Sequence, residues 1–170
     1  SVMQTLKLSN LGTATMTTGT ATLSNTLTSI DIDNASTGKT VIGQVIAHAG
    51  AAATSVAIDI DWTGVNAAAN TIAAMNFDVN GVITDYNLNR GASAQADTVA
   101  AITAKDLNAL TITTKNGGGT LTFADMSNIT GAIGDVTIDA DDTVTFTTGA
   151  TAATSVGNIT AKGLDTGTSI

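Results

Sequence analysis

The sequence lacks cysteine, proline and glutamate, and all 14 of its acidic residues are Asp. Without cysteine the chain can form neither disulfides nor thiolate metal sites. Without glutamate, and with only six Lys and Arg residues, it is poor in the straight-chain residues that usually cover helix surfaces. These absences argue against a disulfide-bonded scaffold and against a helical bundle.

Long apolar runs and positive charge are scarce as well. No apolar run approaches the roughly 18 residues of a membrane-spanning helix, so we expect no membrane span. The net charge of −8 would repel nucleic-acid phosphates, so nucleic acid is not an expected partner. Hydrophobic residues still make up 43% of the 170 residues. We therefore expect one β-rich domain, 1–170, either complete or a segment of a longer surface protein.

The residues that are abundant favour strands and tight turns. Thr and Ser make up about a quarter of the chain, and the β-branched Thr suits a pleated strand. Alternating patterns recur, for example at 55–62 (SVAIDIDW) and 135–140 (DVTIDA), and Gly- and Asn-rich turns such as 116–119 (NGGG) separate them. The Ala-rich stretches 64–75 and 93–110 are the two places where a short helix could form. The sequence predicts an all-β fold.

A loosely repeated motif, in which an apolar strand residue is followed by Asp or Thr-Ala and a turn, recurs along the chain. The closest pair is ITAKDL (102–107) and ITAKGL (159–164). The residues that anchor the motif are Ile30, Ile58, Phe77, Ile102, Phe123, Ile138 and Ile159. Their average spacing predicts a parallel β-helix (β-solenoid) with irregular coils of about 21 residues. The structural alternative is an antiparallel β-sandwich.

Segments 102–123 and 128–146 resemble the Ala-, Thr-, Gly- and Asp-rich repeats of bacterial surface-layer proteins and related secreted adhesins. The resemblance is strongest over 95–170 and is one of composition and repeat style. It implies stacked β-solenoid coils that self-assemble on the cell surface, often with calcium. The calcium-binding nonapeptide of such families is absent, since NGGGTLTFAD (116–125) has the glycines but places Asp125 too late.

Metal binding is predicted from dense carboxylates at one turn. Asp139, Asp141 and Asp142 supply the oxygen ligands that hard cations prefer, so they are the candidate ligands for Ca²⁺. The pairs Asp31/Asp33 and Asp59/Asp61 have i,i+2 spacing, which places each pair on one face of its strand. If coils stack these pairs in register, like charges repel unless a cation or a Lys lies between them.

No catalytic motif is present, so we predict no enzyme activity, no catalytic residue and no required cofactor. His48 is the only histidine and Arg90 the only arginine, and neither has an evident partner in the sequence. The sequence predicts an extracellular, cell-surface structural protein whose main partners are copies of itself, forming a layer or a filament. The alternative is an ice- or glycan-binding adhesin module, because Thr-x-Thr motifs recur, as at Thr120/Thr122.

Overall fold

The computed structural model describes residues 4–23, 26–47, 55–65, 68–77, 80–147 and 153–163. All regular structure in these residues is β, and their strands, in chain order, are β1 (Thr5–Asn10), β2 (Met16–Thr18), β3 (Ala21–Leu23), β4 (Ser29–Asn34), β5 (Thr40–Ala47), β6 (Ser55–Trp62), β7 (Thr71–Asn76), β8 (Val82–Arg90), β9 (Ala96–Ala104), β10 (Asp106–Thr114), β11 (Thr120–Asp125), β12 (Asn128–Ile129), β13 (Ala132–Ala140), β14 (Thr143–Thr147), β15 (Ser155–Val156) and β16 (Ile159–Lys162).

The strands form two parallel sheets, and successive strands of the chain pass mostly from one sheet to the other. The first sheet has the order β1-β4-β6-β8-β10-β13, followed by β15 and β16, which both pair with β13. The second has the order β14-β11-β9-β7-β5-β2, with β3 on β5 and β12 on β9. Every pairing between the described strands is parallel. The predicted β-solenoid is confirmed, and the antiparallel sandwich is wrong.

The coils are irregular, as expected, but longer than the sequence motif predicted. One inward column of the first sheet shows this. It runs through Leu8, Ile32, Ile60, Leu88, Ile112, Ile138 and Ala161, and the number of residues between successive members varies. Successive members of this column lie on average about 25 residues apart, which is the length of one coil. The predicted average was too short because the anchors came from both sheets. Ile102 lies in β9 of the second sheet, whereas Ile159 lies in β16 of the first, so the two similar hexapeptides occupy different positions.

Where the structure describes the Ala-rich stretches, their only regular structure is β-strand. Residues 71–76 form β7, and residues 96–104 and 106–114 form β9 and β10. Their β-branched residues alternate between the core and the outside, as Ile72 and Val99 point inward while Thr71 and Thr98 point outward. Burial of one face in a stacked sheet therefore outweighs the modest helix propensity of Ala.

Aliphatic columns and a few aromatic rings fill the space between the two sheets. Tyr86 and Phe123 meet edge to face with ring centroids 5.1 Å apart, and Phe123 stacks on Phe146 at 6.3 Å. All three rings are buried, as is Trp62. Burial raises the pKa of Tyr86, so its hydroxyl stays protonated in the core.

Candidate functional site: corner network, outer faces and open ends

The three predicted calcium ligands point in different directions. Asp142 is buried, Asp141 is exposed at the turn, and Asp139 lies on the outer face of the first sheet, where Lys162 Nζ is 2.9 Å from its Oδ2. Among the described residues no group of three or more His, Cys, Asp or Glu side chains could hold a metal ion. The structure therefore does not bring these carboxylates together, and calcium binding remains a sequence-based prediction.

Asp142 instead binds the guanidinium of Arg90. Arg90 is fully buried at the end of β8; its Nη1 donates to Asp142 Oδ2 at 2.6 Å and its Nε donates to Asp97 Oδ2 at 2.7 Å. Its Nη2 donates to the backbone carbonyls of Ser93 and Gln95 at 2.7 and 2.9 Å. The guanidinium thus links its own coil to that of Asp142, 52 residues further along the chain, and its buried charge is tolerated because each of its three nitrogens has an acceptor.

The glycine-rich turn at 116–119 is explained by the same carboxylate. The backbone N–H groups of Gly117 and Gly118 both donate to Asp142 Oδ1 at 3.0 Å. Gly118 has φ +75°, which favours glycine, and a Cβ at Gly119 would collide with Arg90 Nη2. The Gly run therefore forms a cradle for an anion of the protein itself.

The polar contacts continue along the inside corner of the stack beyond Arg90. Asp97 Oδ1 accepts from the Asn70 backbone N–H at 2.6 Å, and Asn70 Oδ1 accepts from Asn34 Nδ2 at 2.9 Å. Asn34 Nδ2 also donates to the carbonyl of Gly38 at 2.8 Å. We call this series of contacts, from Asn34 to Asp142, the corner network. It connects coils that are far apart in sequence, and the isolated motifs gave no sign of it.

The outer face of the first sheet carries most of the charge of the strands, arranged in two columns. One column reads Lys7, Asp31, Asp59, Asn87, Thr111, Thr137, Thr160. Its neighbour reads Ser9, Asp33, Asp61, Asn89, Thr113, Asp139, Lys162. The pairs Asp31/Asp33 and Asp59/Asp61 stack in register, and Lys7 lies beside the first pair, as expected if like charges are to stack. Both terminal strands of this sheet carry a Lys.

Lys7 neutralises only the nearer Asp pair. Its Nζ is 2.5 Å from Asp31 Oδ2 and 3.1 Å from Asp33 Oδ2. Partial burial raises the pKa of Asp33, but hydrogen bonds from Lys7 and Ser9 outweigh it and lower that pKa overall. For Asp59, burial and then the charges of Asp61, Asp31 and Asp33 raise the pKa.

The outer face of the second sheet carries no charged side chain among those that are described. One of its columns reads Thr17, Val41, Thr71, Thr98, Thr122, Thr145. A neighbouring position carries small residues in successive coils, namely Gly43, Ala73 and Ala100. Asp97 is the only charged residue among the second-sheet side chains that are described, and it points inward.

The inward columns stop while still partly exposed at both ends of the stack. In the described residues β1 pairs with β4 alone, and its Leu6 and Leu8 are only partly buried. At the other end β15 and β16 pair with β13 alone, and Val156 and Ile159 are 44% and 40% exposed. Among the described strands, each end therefore presents an open edge beside apolar columns that are partly exposed.

The spacing of one set of glycines in the sequence matches the coil length seen in the structure, whereas the spacing of the repeat motif does not. Glycines occur at positions 12, 38, 64, 91 and 117, at nearly equal intervals that match the length of one coil. Gly64 and Gly91 lie at the corner that follows a first-sheet strand, where a Cβ would meet the backbone of Ser36 and Thr63 in the preceding coil. Close stacking of corners requires glycine there, so this period marks the coils.

Known proteins give no guidance on the function of this chain. No family model, no curated protein and no solved structure matches the chain. No helix in the described part of the chain is long and apolar enough to cross a bilayer. His48 lies outside the described residues.

Proposed function

We propose that the chain is a structural, extracellular protein that self-assembles into a cell-surface filament or layer, and is not an enzyme. The observation that carries this proposal is the pair of open ends. Both ends of the first sheet expose a strand edge, and both expose inward columns that would be buried if another strand were added. Addition of a strand to an open edge contributes main-chain hydrogen bonds as well as apolar burial.

The usual protections of a sheet edge are scarce at these ends. The chain contains no proline, and each terminal strand carries one charged residue, Lys7 in β1 and Lys162 in β16, which points outward onto the face of the sheet and is held there by Asp. Inward-pointing charges, which other proteins use to block an edge, are absent from the described residues of β1 and β16. The edges are therefore chemically able to accept a strand.

The corner network supports a mechanical role over a catalytic one. The only arginine is buried and fully engaged with Asp97 and Asp142, so it cannot reach a substrate on the surface. Its contacts join coils along the stack, and such contacts oppose the separation of the coils when the stack bears mechanical load. The placement at the cell surface rests on the resemblance of residues 95–170 to surface-layer and adhesin repeats.

Electron microscopy combined with light scattering tests the proposal. The purified chain should form filaments or sheets, with and without calcium, while the variant Leu8→Lys should stay small because it puts a charge at the end of an inward column. Val65→Lys is the matched control, since Val65 is 68% exposed and lies outside the strands. A monodisperse monomer for the unmodified chain under both conditions would refute self-assembly.

A second candidate function, ice binding, is favoured by one observation on the second sheet. Five of the six residues in its outer column are Thr, beside a position that carries only Gly or Ala in three successive coils. Among the second-sheet strands, β11 and β14 carry a full Thr-x-Thr pair in register with each other, at Thr120/Thr122 and Thr143/Thr145. Thermal hysteresis that is lost on Thr122→Lys would support this function, and absence of hysteresis would remove it. A cell-surface glycan remains a prediction from sequence alone.

A further inference from the structure

We propose that copies of the chain join head to tail, with β16 of one copy pairing in parallel with β1 of the next so that Ile159 lies beside Leu6. This inference rests on the proposed self-assembly and specifies its partner strand and its register. The two strands are the terminal members of the same sheet, so their pairing would continue that sheet from one copy into the next.

The inward columns match across this junction. One column of the first sheet reads Leu6, Ile30, Ile58, Tyr86, Leu110, Val136, Ile159. The proposed register places Ile159 beside Leu6 of the next copy and Ala161 beside Leu8. Apolar side chains then meet apolar side chains in both columns, and the side chain of Ile159, 40% exposed in the single copy, gains a neighbour.

The corner of the stack selects this register over one shifted by two residues. First-sheet strands reach the corner in one column, which runs through Asn10, Asn34, Trp62, Arg90, Thr114 and Ala140. Gly163 follows Lys162, whose partner Asp139 precedes Ala140, so Gly163 is the next member of that column. In the proposed register Gly163 meets Asn10 of the next copy and the corners stay aligned. A two-residue shift would displace one corner by about 7 Å.

The charges at the junction are compatible with this pairing. Thr160 would lie beside Lys7 of the next copy, and Lys162 beside Ser9. Lys7 and Lys162 become diagonal neighbours, but each is already held by its own carboxylates, at 2.5 and 3.1 Å for Lys7 and at 2.9 Å for Lys162. No two Asp residues face each other across the junction, because neither terminal strand contains Asp.

Head-to-head pairing is less favourable, both in the apolar contacts and in the charges that it brings together. Antiparallel contact between two β1 strands with both leucines matched places Leu6 opposite Leu8 and therefore Lys7 opposite Lys7. Like charges directly opposite each other destabilise a strand pair. Registers that avoid this clash match only one leucine position. Head-to-tail contact is also heterologous, so it propagates into an open polymer and does not close as a dimer.

Cysteine cross-linking tests the register, because the chain contains no cysteine of its own. The proposed pairing places Asn158 directly beside Thr5 of the next copy, and both are exposed. The double variant Asn158→Cys/Thr5→Cys should therefore give a ladder of disulfide-linked multimers under mild oxidation. Adjacent Cα atoms about 4.8 Å apart permit a disulfide, whereas a two-residue offset gives about 8 Å and does not.

The matched controls are the double variant Thr160→Cys/Thr5→Cys, which is offset by two residues, and the two single variants. All should assemble by light scattering, and none should give the ladder. If every variant assembles but Asn158→Cys/Thr5→Cys gives no ladder, or if the offset pair cross-links equally well, the register is wrong while self-assembly stands. If neither the unmodified chain nor any variant assembles, both the register and the proposed function fail.

Discussion

The middle of the stack and its two ends are built from the same columns but differ in how those columns are completed. Ile112 in the middle is fully buried between β8 and β13, whereas Ile159 at the end is 40% exposed. Arg90 in the middle binds two buried carboxylates, whereas the side chain of Lys7 at the end is 58% exposed. The middle is therefore the source of stability, and the ends are free to take part in association.

Removal of the Arg90 guanidinium should give the largest effect on stability. Arg90→Met leaves Asp97 and Asp142 as unpaired carboxylates in the interior, which should lower the free energy of unfolding by about 3–5 kcal/mol. Denaturant titration of the monomer measures it. The matched control is Lys7→Met, which breaks an exposed, solvent-screened ion pair and should therefore cost far less. Equal losses for the two variants would contradict the contrast between the middle and the end.

Truncation of matched isoleucines should give the next largest difference. Ile112→Ala opens a cavity in a closed column and should cost about 2–5 kcal/mol. Ile159→Ala should cost much less in the monomer, because its side chain is already partly in water, but it should weaken assembly. Denaturant titration and light scattering together separate the two effects. An Ile159→Ala variant that unfolds like Ile112→Ala would show that the end is as tightly packed as the middle.

Glycine substitution at the corner should have an intermediate effect. A Cβ at Gly64 would collide with the carbonyl of Ser36 and lie 2.7 Å from its backbone nitrogen, so Gly64→Ala should cost about 1–3 kcal/mol. At Gly19 an added Cβ meets nothing within 4 Å, so Gly19→Ala should change stability by less than about 0.5 kcal/mol. Thermal unfolding of the pair measures the difference. Identical melting temperatures would contradict the close approach of the corners.

The acidic face should give the smallest effect, with opposite signs at two neighbouring positions. The raised pKa of Asp59 means that its ionised form is disfavoured by folding, so Asp59→Asn should stabilise the protein slightly at neutral pH, because solvent screens most of the repulsion at this exposed position. This gain should vanish as the pH falls through the raised pKa, where Asp59 itself becomes protonated.

Asp33→Asn is the matched control, because the pKa of Asp33 is lowered. Its ionised form stabilises the fold above its ordinary pKa, and that contribution is lost as the pH falls through the lowered value. The substitution should therefore destabilise the protein slightly at neutral pH. Melting temperatures measured from neutral to acidic pH check both variants. A change in melting temperature of the same sign for the two variants at neutral pH would contradict the assigned role of Lys7.

The fold class could be predicted from sequence because it depends on local patterns. Alternating Thr, Val and Ile report which side of a strand is buried, and every coil repeats that signal. The spacing of the repeat motif gives a coil length that is too short, because strands of both sheets carry the same pattern. Phe77 and Ile102 therefore fall among the motif anchors together with Ile30 and Ile58. Gly64 and Gly91, which are fixed by corner stacking, mark the coil without that ambiguity.

The corner network could not be predicted from sequence because its partners are distant. Asp142 is 52 residues from Arg90, and nothing local distinguishes it from Asp141, which is exposed at the same turn. Long-range stacking decides which carboxylate turns inward. Because sequence does not show which carboxylates turn inward, the closely spaced Asp139, Asp141 and Asp142 suggested a calcium site. In the structure their side chains lie in different surroundings.

The axial repeat of the assembled filament, measured by electron microscopy with helical averaging, tests the central claim most directly. If the first sheet runs unbroken through each junction, its seven strand levels should give a subunit repeat of about 33 Å, with continuous strand spacing of about 4.8 Å. A repeat near twice that length would indicate alternating head-to-head and tail-to-tail contacts, and would contradict the account, as would particles that never exceed a single copy.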